Sequence, residues 1–227
     1  MNLSSSRKYP PGVPGVENPR PGADRESRPM TLPRFYPVFD SADWIGRALS
    51  VGVRMVQLRI KDADEAALRA EIARARDLTR NAGAILVVND HWRLAIELGC
   101  DWLHLGQEDL DSADLPAIRA AGLRLGVSTH DDAELERALS VRPDYVALGP
   151  VWPTILKKMP WAPQGLERVT DWKRRVGDVP LVAIGGVTVE RAEAALAAGA
   201  DMVSAVTDIT LHSDPETRMR DWLRVTA

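Results

Sequence analysis

The chain has 227 residues, 45% of them apolar, enough for a sizeable core in one domain or a single α/β barrel. A formal charge of −3 argues against a nucleic-acid or polybasic membrane role, and no apolar run approaches the roughly 18 residues of a membrane span. A single cysteine, Cys100, excludes an intrachain disulfide and makes a cytoplasmic home the simplest reading, with no signal-peptide h-region at the N-terminus.

Residues 1–33 stand apart. "YPPGVPGVENPRPG" is rich in Pro and Gly with almost nothing to bury, so it reads as a disordered tail. Met30 opens "MTLPRFYPVFD" directly before the first apolar run, which makes a later start of translation a natural alternative. The tail through residue 29 carries a net +2, leaving −5 for the remainder. Any anion site there must be a local gathering of basic groups.

From Phe35 onward the pattern repeats strand, turn, helix. The strands are expected at 35–39, 53–60, 84–88, 101–105, 123–127, 144–149, 179–184 and 201–206. They are short and apolar, as strands buried on both faces of a parallel sheet are. Between them, 64–81 places Leu68, Ile72, Ala75 and Leu78 at helical spacing, with Asp62 or Asp64 as cap. Thr188 can cap a helix over 188–198 that Gly199 ends, and Asp214-Pro215 starts the last helix. "GCDWLHLG", "RPDYVALG" and "GADMVSAV" form a weak repeat, each with an Asp just before an apolar strand. Eight such units over 34–227 predict a single (β/α)8 TIM barrel with a disordered Pro/Gly-rich tail. An open doubly wound sheet fits less well, because chemically loaded residues follow many strands rather than one crossover.

Barrel sites lie at the C-terminal ends of the strands. Those ends read "QLRIK", "ND", "HLGQED", "GVSTH", "GPVWPTILKK", "IGG" and "VTDI". They gather three cations, Arg59, Lys61 and Lys157, with two acids, Asp90 and Asp109. Two carboxylates from neighbouring strand ends suit a hard cation such as Mg²⁺, which keeps waters and takes substrate phosphate oxygens. The cations then neutralise remaining phosphate charge. Either acid alone is better read as a helix cap; the pair beside three cations favours a metal. Gly185-Gly186 and Val206-Thr207 follow strands seven and eight, where barrels commonly hold a phosphomonoester on backbone amides. Two anion sites of different kinds suggest two phosphorylated small-molecule substrates.

Seven of these motifs, "VQLRIK", "VVND", "HLGQEDL", "GVSTH", "GPVWPT", "AIGGVT" and "AVTDI", occur in register from about Phe35 to Ile209. In this the chain resembles the thiamine phosphate synthase family. The resemblance implies a transferase that joins 4-amino-2-methyl-5-pyrimidinylmethyl diphosphate to a thiazole phosphate, plain or carboxylated, with Mg²⁺, releasing diphosphate by a dissociative substitution. It implies pyrimidine diphosphate contacts at Gln57, Arg59, Lys61, Asn89, Ser128 and Lys157, of which Arg59, Lys61 and Lys157 serve the chemistry. It implies Mg²⁺ ligands at Asp90 and Asp109, and thiazole phosphate contacts at Thr154, Gly186, Val206 and Thr207. It leaves a homo-oligomer open.

Two positions depart from the family's pattern. Ile60 stands where an acid is common, a side chain expected to turn away from the ligand. Leu156 replaces a second Thr and cannot donate a hydrogen bond to phosphate. The loop "TILKKMPWAPQGL", with Trp152 and Trp161 near its ends, reads as a lid or as a segment packed down by the two rings. No nucleophile–base pair is expected: Cys100 fits a small buried position, His104 a satisfied core residue, and His130 structural support after Ser128. Tyr36 lines the mouth or fills the barrel. The rivals are a thiazole tautomerase on the same scaffold, which needs no diphosphate pocket, and a non-catalytic phosphate-ligand-binding barrel.

Overall fold

The computed structural model describes residues 31–154 and 161–227. Within them eight parallel strands pair in sequence order: β1 (Val38–Phe39), β2 (Met55–Leu58), β3 (Ile85–Asn89), β4 (Trp102–Leu105), β5 (Arg124–Thr129), β6 (Tyr145–Leu148), β7 (Leu181–Ala183) and β8 (Met202–Val203). The ring closes through Tyr36 N–H to Val203 O at 3.0 Å, Val203 N–H to Arg34 O at 2.8 Å and Val38 N–H to Ala205 O at 3.0 Å. Helices α1 (Ala42–Ser50), α2 (Glu65–Asn81), α3 (Trp92–Glu97), α4 (Gln107–Ser112), α5 (Leu115–Ala120), α6 (Asp132–Ser140), α7 (Gly165–Val176), α8 (Val189–Ala197), α9 (Thr207–Thr210) and α10 (Pro215–Val225) connect and follow the strands. The expected (β/α)8 barrel is the observed one. No helix among the described residues is long and apolar enough to cross a membrane.

Side chains of a strand alternate between its faces, and here the two faces have different work. One set, including Val56, Leu58, Val88, Leu103, Leu105, Val146, Leu148 and Val203, packs under the helices. The other set, Tyr36, Met55, Val87, Trp102, Tyr145, Ala147, Val182 and Met202, fills the barrel interior, with Leu32 packed against it. Two residues further along, on that same inward parity, come Gln57, Asn89, His104, Ser128 and Ser204. An apolar plug thus carries a polar layer at the end where the strands deliver their C-termini.

The expected strand bounds shift in both directions. Strands β1, β2 and β8 have shorter ladders than 35–39, 53–60 and 201–206, because Phe35, Val53, Ile60 and Ala205 are apolar for packing under the helices. Strands β3 and β5 run on to Asn89 and to Ser128 and Thr129, so those polar residues belong to strands. Asp64 rather than Asp62 caps α2, accepting from Ala67 N–H at 2.8 Å, and Asp214 caps α10 through Thr217 N–H at 3.0 Å. Thr188 sits at the start of α8 without a side-chain cap bond; its hydroxyl is engaged with Glu190 instead.

The C-terminal helix is latched to the barrel. Trp222 stacks on Phe35 with centroids 4.9 Å apart and donates its indole N–H to Asp208 at 2.8 Å. Arg218 bridges Asp208 and Glu190, fixing α8, α9 and α10 together. Cys100 is buried, and burial pushes its thiol up to about 11, an inert core position as its sequence context suggested.

Candidate active site

Three charged residues meet at the ends of β2, β3 and β4. Lys61 Nζ lies 2.6 Å from Asp90 Oδ2, with Asp90 side-chain exposure of only 14%. The Asp90 and Asp109 carboxyls contact each other as hydrogen-bond partners. Burial raises the Asp90 carboxyl, but the bond and charge of Lys61, with the bond to Asp109, outweigh it and leave Asp90 below the ordinary carboxylate value. Asp109 moves the opposite way, raised by burial and then by the charge and hydrogen bond of Asp90. A divalent cation between them would relieve the repulsion that drives the two acids apart.

Neither acid is merely a helix cap. Helix α3 begins after His91 with no side-chain cap bond, and Asp90 has φ +63°, a left-handed conformation that Asp adopts more readily than most non-glycine residues. Asp109 sits in the first turn of α4 and accepts from Gly106 N–H, so it helps start that short helix while its carboxyl faces Asp90. Among the described residues no group of three or more His, Cys, Asp and Glu is arranged around one point. A two-carboxylate, all-oxygen set fits Mg²⁺, which characteristically takes few protein ligands and completes its shell with water and phosphate oxygens.

Below this cluster, the polar layer is wired into one chain. Gln57 Nε2 donates to the Tyr36 hydroxyl at 2.6 Å, and the Tyr36 and Tyr145 hydroxyls are 2.7 Å apart. His104 reaches the Tyr145 hydroxyl through Nδ1 at 2.8 Å and Ser128 Oγ through Nε2 at 2.7 Å. Gln107 donates to Ser128 O at 2.7 Å and splints β5 against α4. Burial holds His104 down at about 4, against a weaker upward pull from Asp90, and raises both tyrosines above their ordinary range. Among the described residues, the Asn89 Nδ2 and Ser204 Oγ atoms of this layer are buried without a partner. Such orphans are rare inside proteins and mark a place where a ligand or water completes the bonding.

The low value at His104 carries a stability expectation. The unfolded chain takes up a proton near 6.5, the folded one only near 4, so this contribution is whole above pH 6.5 and lost progressively as pH falls to about 4. Its size is on the order of 3 kcal/mol. Urea midpoints followed from pH 7 to 4 should fall steeply in the native chain and less in His104→Gln; equal slopes contradict the assignment.

Of the other sequence candidates, Arg59 follows Gln57 on the inward parity at the rim and its charge is felt at His104. Ile60 packs with the outer apolar layer, turned away as expected. Thr154, Gly186 and Thr207 line one pocket, together with Thr188, Arg191, Asp208 and Leu211; Val206 precedes that pocket without being part of its lining. Lys157 and Leu156 lie outside the described residues, as does the rest of the expected lid from 155 to 160. At its described edges Trp152 packs on the apolar layer, and Trp161 stacks on His130 at 4.0 Å. His130 in turn bonds Glu134 at 2.7 Å, the structural role expected of it.

Sequence reasoning passed over Arg191, which donates to Gly186 O at 2.7 Å and lies 5.4 Å from the Trp152 ring, bracing that pocket. It also passed over the tyrosine–histidine wiring. The signal was present as the alternation Tyr145/Ala147, Trp102/His104 and Gly126/Ser128, legible only once each strand is read in steps of two.

The comparisons with known proteins agree on one family. The family model described as thiamine monophosphate synthase matches residues 35–209. A curated thiamine-phosphate synthase of Rhizobium etli is 62% identical over 198 residues, 87% of this chain and 97% of that one. A thiamine-phosphate synthase of Citrobacter koseri is 50% identical over 193 residues, 85% of this chain and 88% of that one. Among solved structures, thiamine phosphate pyrophosphorylase from Pyrococcus furiosus superposes with a TM-score of 0.76 at 26% identity, covering 85% of this chain and 95% of its own.

Proposed function

The chain belongs to the thiamine monophosphate synthase family, and from that premise we propose that it condenses 4-amino-2-methyl-5-pyrimidinylmethyl diphosphate with 4-methyl-5-(2-phosphoethyl)thiazole, or its carboxylated form, giving thiamine phosphate and diphosphate, with carbon dioxide as a third product from the carboxylated form, in the cytoplasm. The single observation that carries this reading is the Lys61–Asp90–Asp109 cluster above a polar layer in which the buried Asn89 amide nitrogen has no partner among the described residues. A charged set of this kind needs a ligand that is both anionic and metal-binding.

Asp90 and Asp109 would hold Mg²⁺, which when bound supplies positive charge to the diphosphate oxygens. Lys61 and Arg59, with Lys157, neutralise the rest of that charge and favour departure of the diphosphate with the bonding electron pair. Gln57, Asn89 and Ser128 orient the aminopyrimidine, whose ring delocalises the cation left on its methylene carbon. The thiazole nitrogen then donates its lone pair to that carbon. Thr154, Gly186, Val206 and Thr207 hold the second substrate by its phosphate, so the chain's contribution is positioning and electrostatics without a covalent nucleophile.

Backbone geometry favours Gly186 as the phosphate contact. Its φ is +66°, and a Cβ there would lie 2.5 Å from Pro153 O and 2.8 Å from the Trp152 carbonyl carbon. Gly186→Ala should therefore raise KM for the thiazole phosphate about tenfold or more while leaving KM for the pyrimidine diphosphate near native. Steady-state kinetics with each substrate varied checks this, and an unchanged thiazole KM counts against the pocket assignment.

The tautomerase alternative has no use for a metal-binding acid pair beside Lys61, and a non-catalytic sensor has no use for two phosphate sites in one mouth. Purified protein mixed with both substrates and Mg²⁺ should yield thiamine phosphate with one equivalent of diphosphate. Tight binding of either substrate with no product would overturn the proposal.

A further inference from the structure

Resting on the substrate assignment just made, we propose that Tyr36 and Tyr145 are positioning residues: they fix the proton of His104 on Nε2 and thereby leave the Ser128 hydroxyl as a hydrogen-bond donor to the pyrimidine diphosphate. The argument follows the protons. The Gln57 amide nitrogen has only hydrogens to give, so at 2.6 Å the Tyr36 oxygen accepts. Tyr36 is 1% exposed, and among the described residues the remaining partner for its own proton is the Tyr145 oxygen at 2.7 Å. Tyr145, fully buried, must then place its proton on His104 Nδ1 at 2.8 Å. A ring that accepts at Nδ1 carries its hydrogen at Nε2, which donates to Ser128 Oγ at 2.7 Å. Having accepted from the ring, Ser128 has its hydroxyl hydrogen to offer elsewhere.

With the Gln57 amide nitrogen facing Tyr36, the reverse direction fails on one atom. If His104 donated from Nδ1 to Tyr145 and Tyr145 to Tyr36, the Tyr36 oxygen would accept twice and its proton would have no acceptor in a dry interior. A doubly protonated ring creates the same stranded proton on Tyr145. The packing holds the wiring in place. The Tyr145 ring is stacked with His104 at 5.6 Å and set edge-on to Tyr36 at 5.7 Å, and it occupies the space left open by Gly126. Networks of this sort, satisfied end to end, rigidify one arrangement.

Two measurements test it. Nitrogen-15 spectra of the native protein labelled in histidine, without substrate at neutral pH, should show His104 protonated at Nε2 and bare at Nδ1; a proton on Nδ1 overturns the proposal. In Tyr145→Phe, KM for the pyrimidine diphosphate should rise about tenfold, as for one lost hydrogen bond, with KM for the thiazole phosphate unchanged. A folded Tyr145→Phe protein with native KM for the pyrimidine diphosphate overturns it too. If that variant does not fold, the spectrum of the native chain decides alone. The spectrum needs no turnover, so a failed synthase assay and a failed proton assignment are separate results.

Discussion

Asp109→Ala is expected to lose thiamine phosphate formation by at least about 10²–10³-fold, the range seen when one charge-stabilising group is removed, while the barrel stays folded. The two halves of that expectation have separate causes. Catalytically, Asp109 is one of two carboxylates at the ends of β3 and β4, and Asp90 alone is already paired with Lys61 at 2.6 Å. A lone, internally neutralised carboxylate holds a divalent ion poorly. Structurally, the pair is in conflict: burial and the neighbouring charge of Asp90 raise the Asp109 carboxyl. Removing Asp109 relieves that conflict at the cost of one bond to Gly106 N–H, so thermal unfolding in a chelator should be unchanged or slightly higher. Turnover measured against Mg²⁺ concentration, with a melting curve on the same sample, reads both halves. Native activity in the variant removes the metal assignment.

Gly126→Ala is expected to be the most destabilising single methyl in the chain. Gly126 pairs with Tyr145 across β5 and β6, and an added Cβ would lie 2.0 Å from Cζ, 2.3 Å from Cε1 and 2.4 Å from the hydroxyl of that ring. Real Cβ atoms do not approach so closely, and Tyr145 has no exposed surface into which to retreat. Displacing the ring also parts its hydroxyl from Tyr36 and His104. Overpacking together with stranded polar groups amounts to on the order of 3–5 kcal/mol, a large share of the 5–15 kcal/mol typical of a domain. Denaturant unfolding measures it, and a loss below about 1 kcal/mol would mean that the interior is looser than this packing implies.

The barrel was legible because parallel strands buried on both faces leave short apolar runs, and "GCDWLHLG" or "RPDYVALG" announce one each. The acid pair was legible because Asp90 comes directly after one such run and Asp109 in the first turn of the helix after the next. The wiring of the polar layer was not: Gln57, Asn89 and Ser128 came only through the family resemblance and His104 only as a core residue, because they lie within or at the ends of strands, where an apolar count treats them as exceptions. Alternation makes them a class: each follows an inward-facing Met55, Val87, Trp102 or Gly126 by two residues. The pairing of Lys61 with Asp90 was equally hidden, because 29 residues separate them and only the β2–β3 register brings them together. Thr188 illustrates the opposite error, a residue ideal for capping whose hydroxyl is drawn off by Glu190.

The central claim is that Asp90 and Asp109 form one divalent-ion site completed by diphosphate. Electron paramagnetic resonance with Mn²⁺ standing in for Mg²⁺ tests it without turnover, by counting ions bound per chain with and without inorganic diphosphate. The expected result is one tightly bound Mn²⁺ when diphosphate is present, weak uptake without it, and loss of the tight ion in Asp109→Ala. Mn²⁺ binding indifferent to diphosphate, or preserved without Asp109, would contradict it.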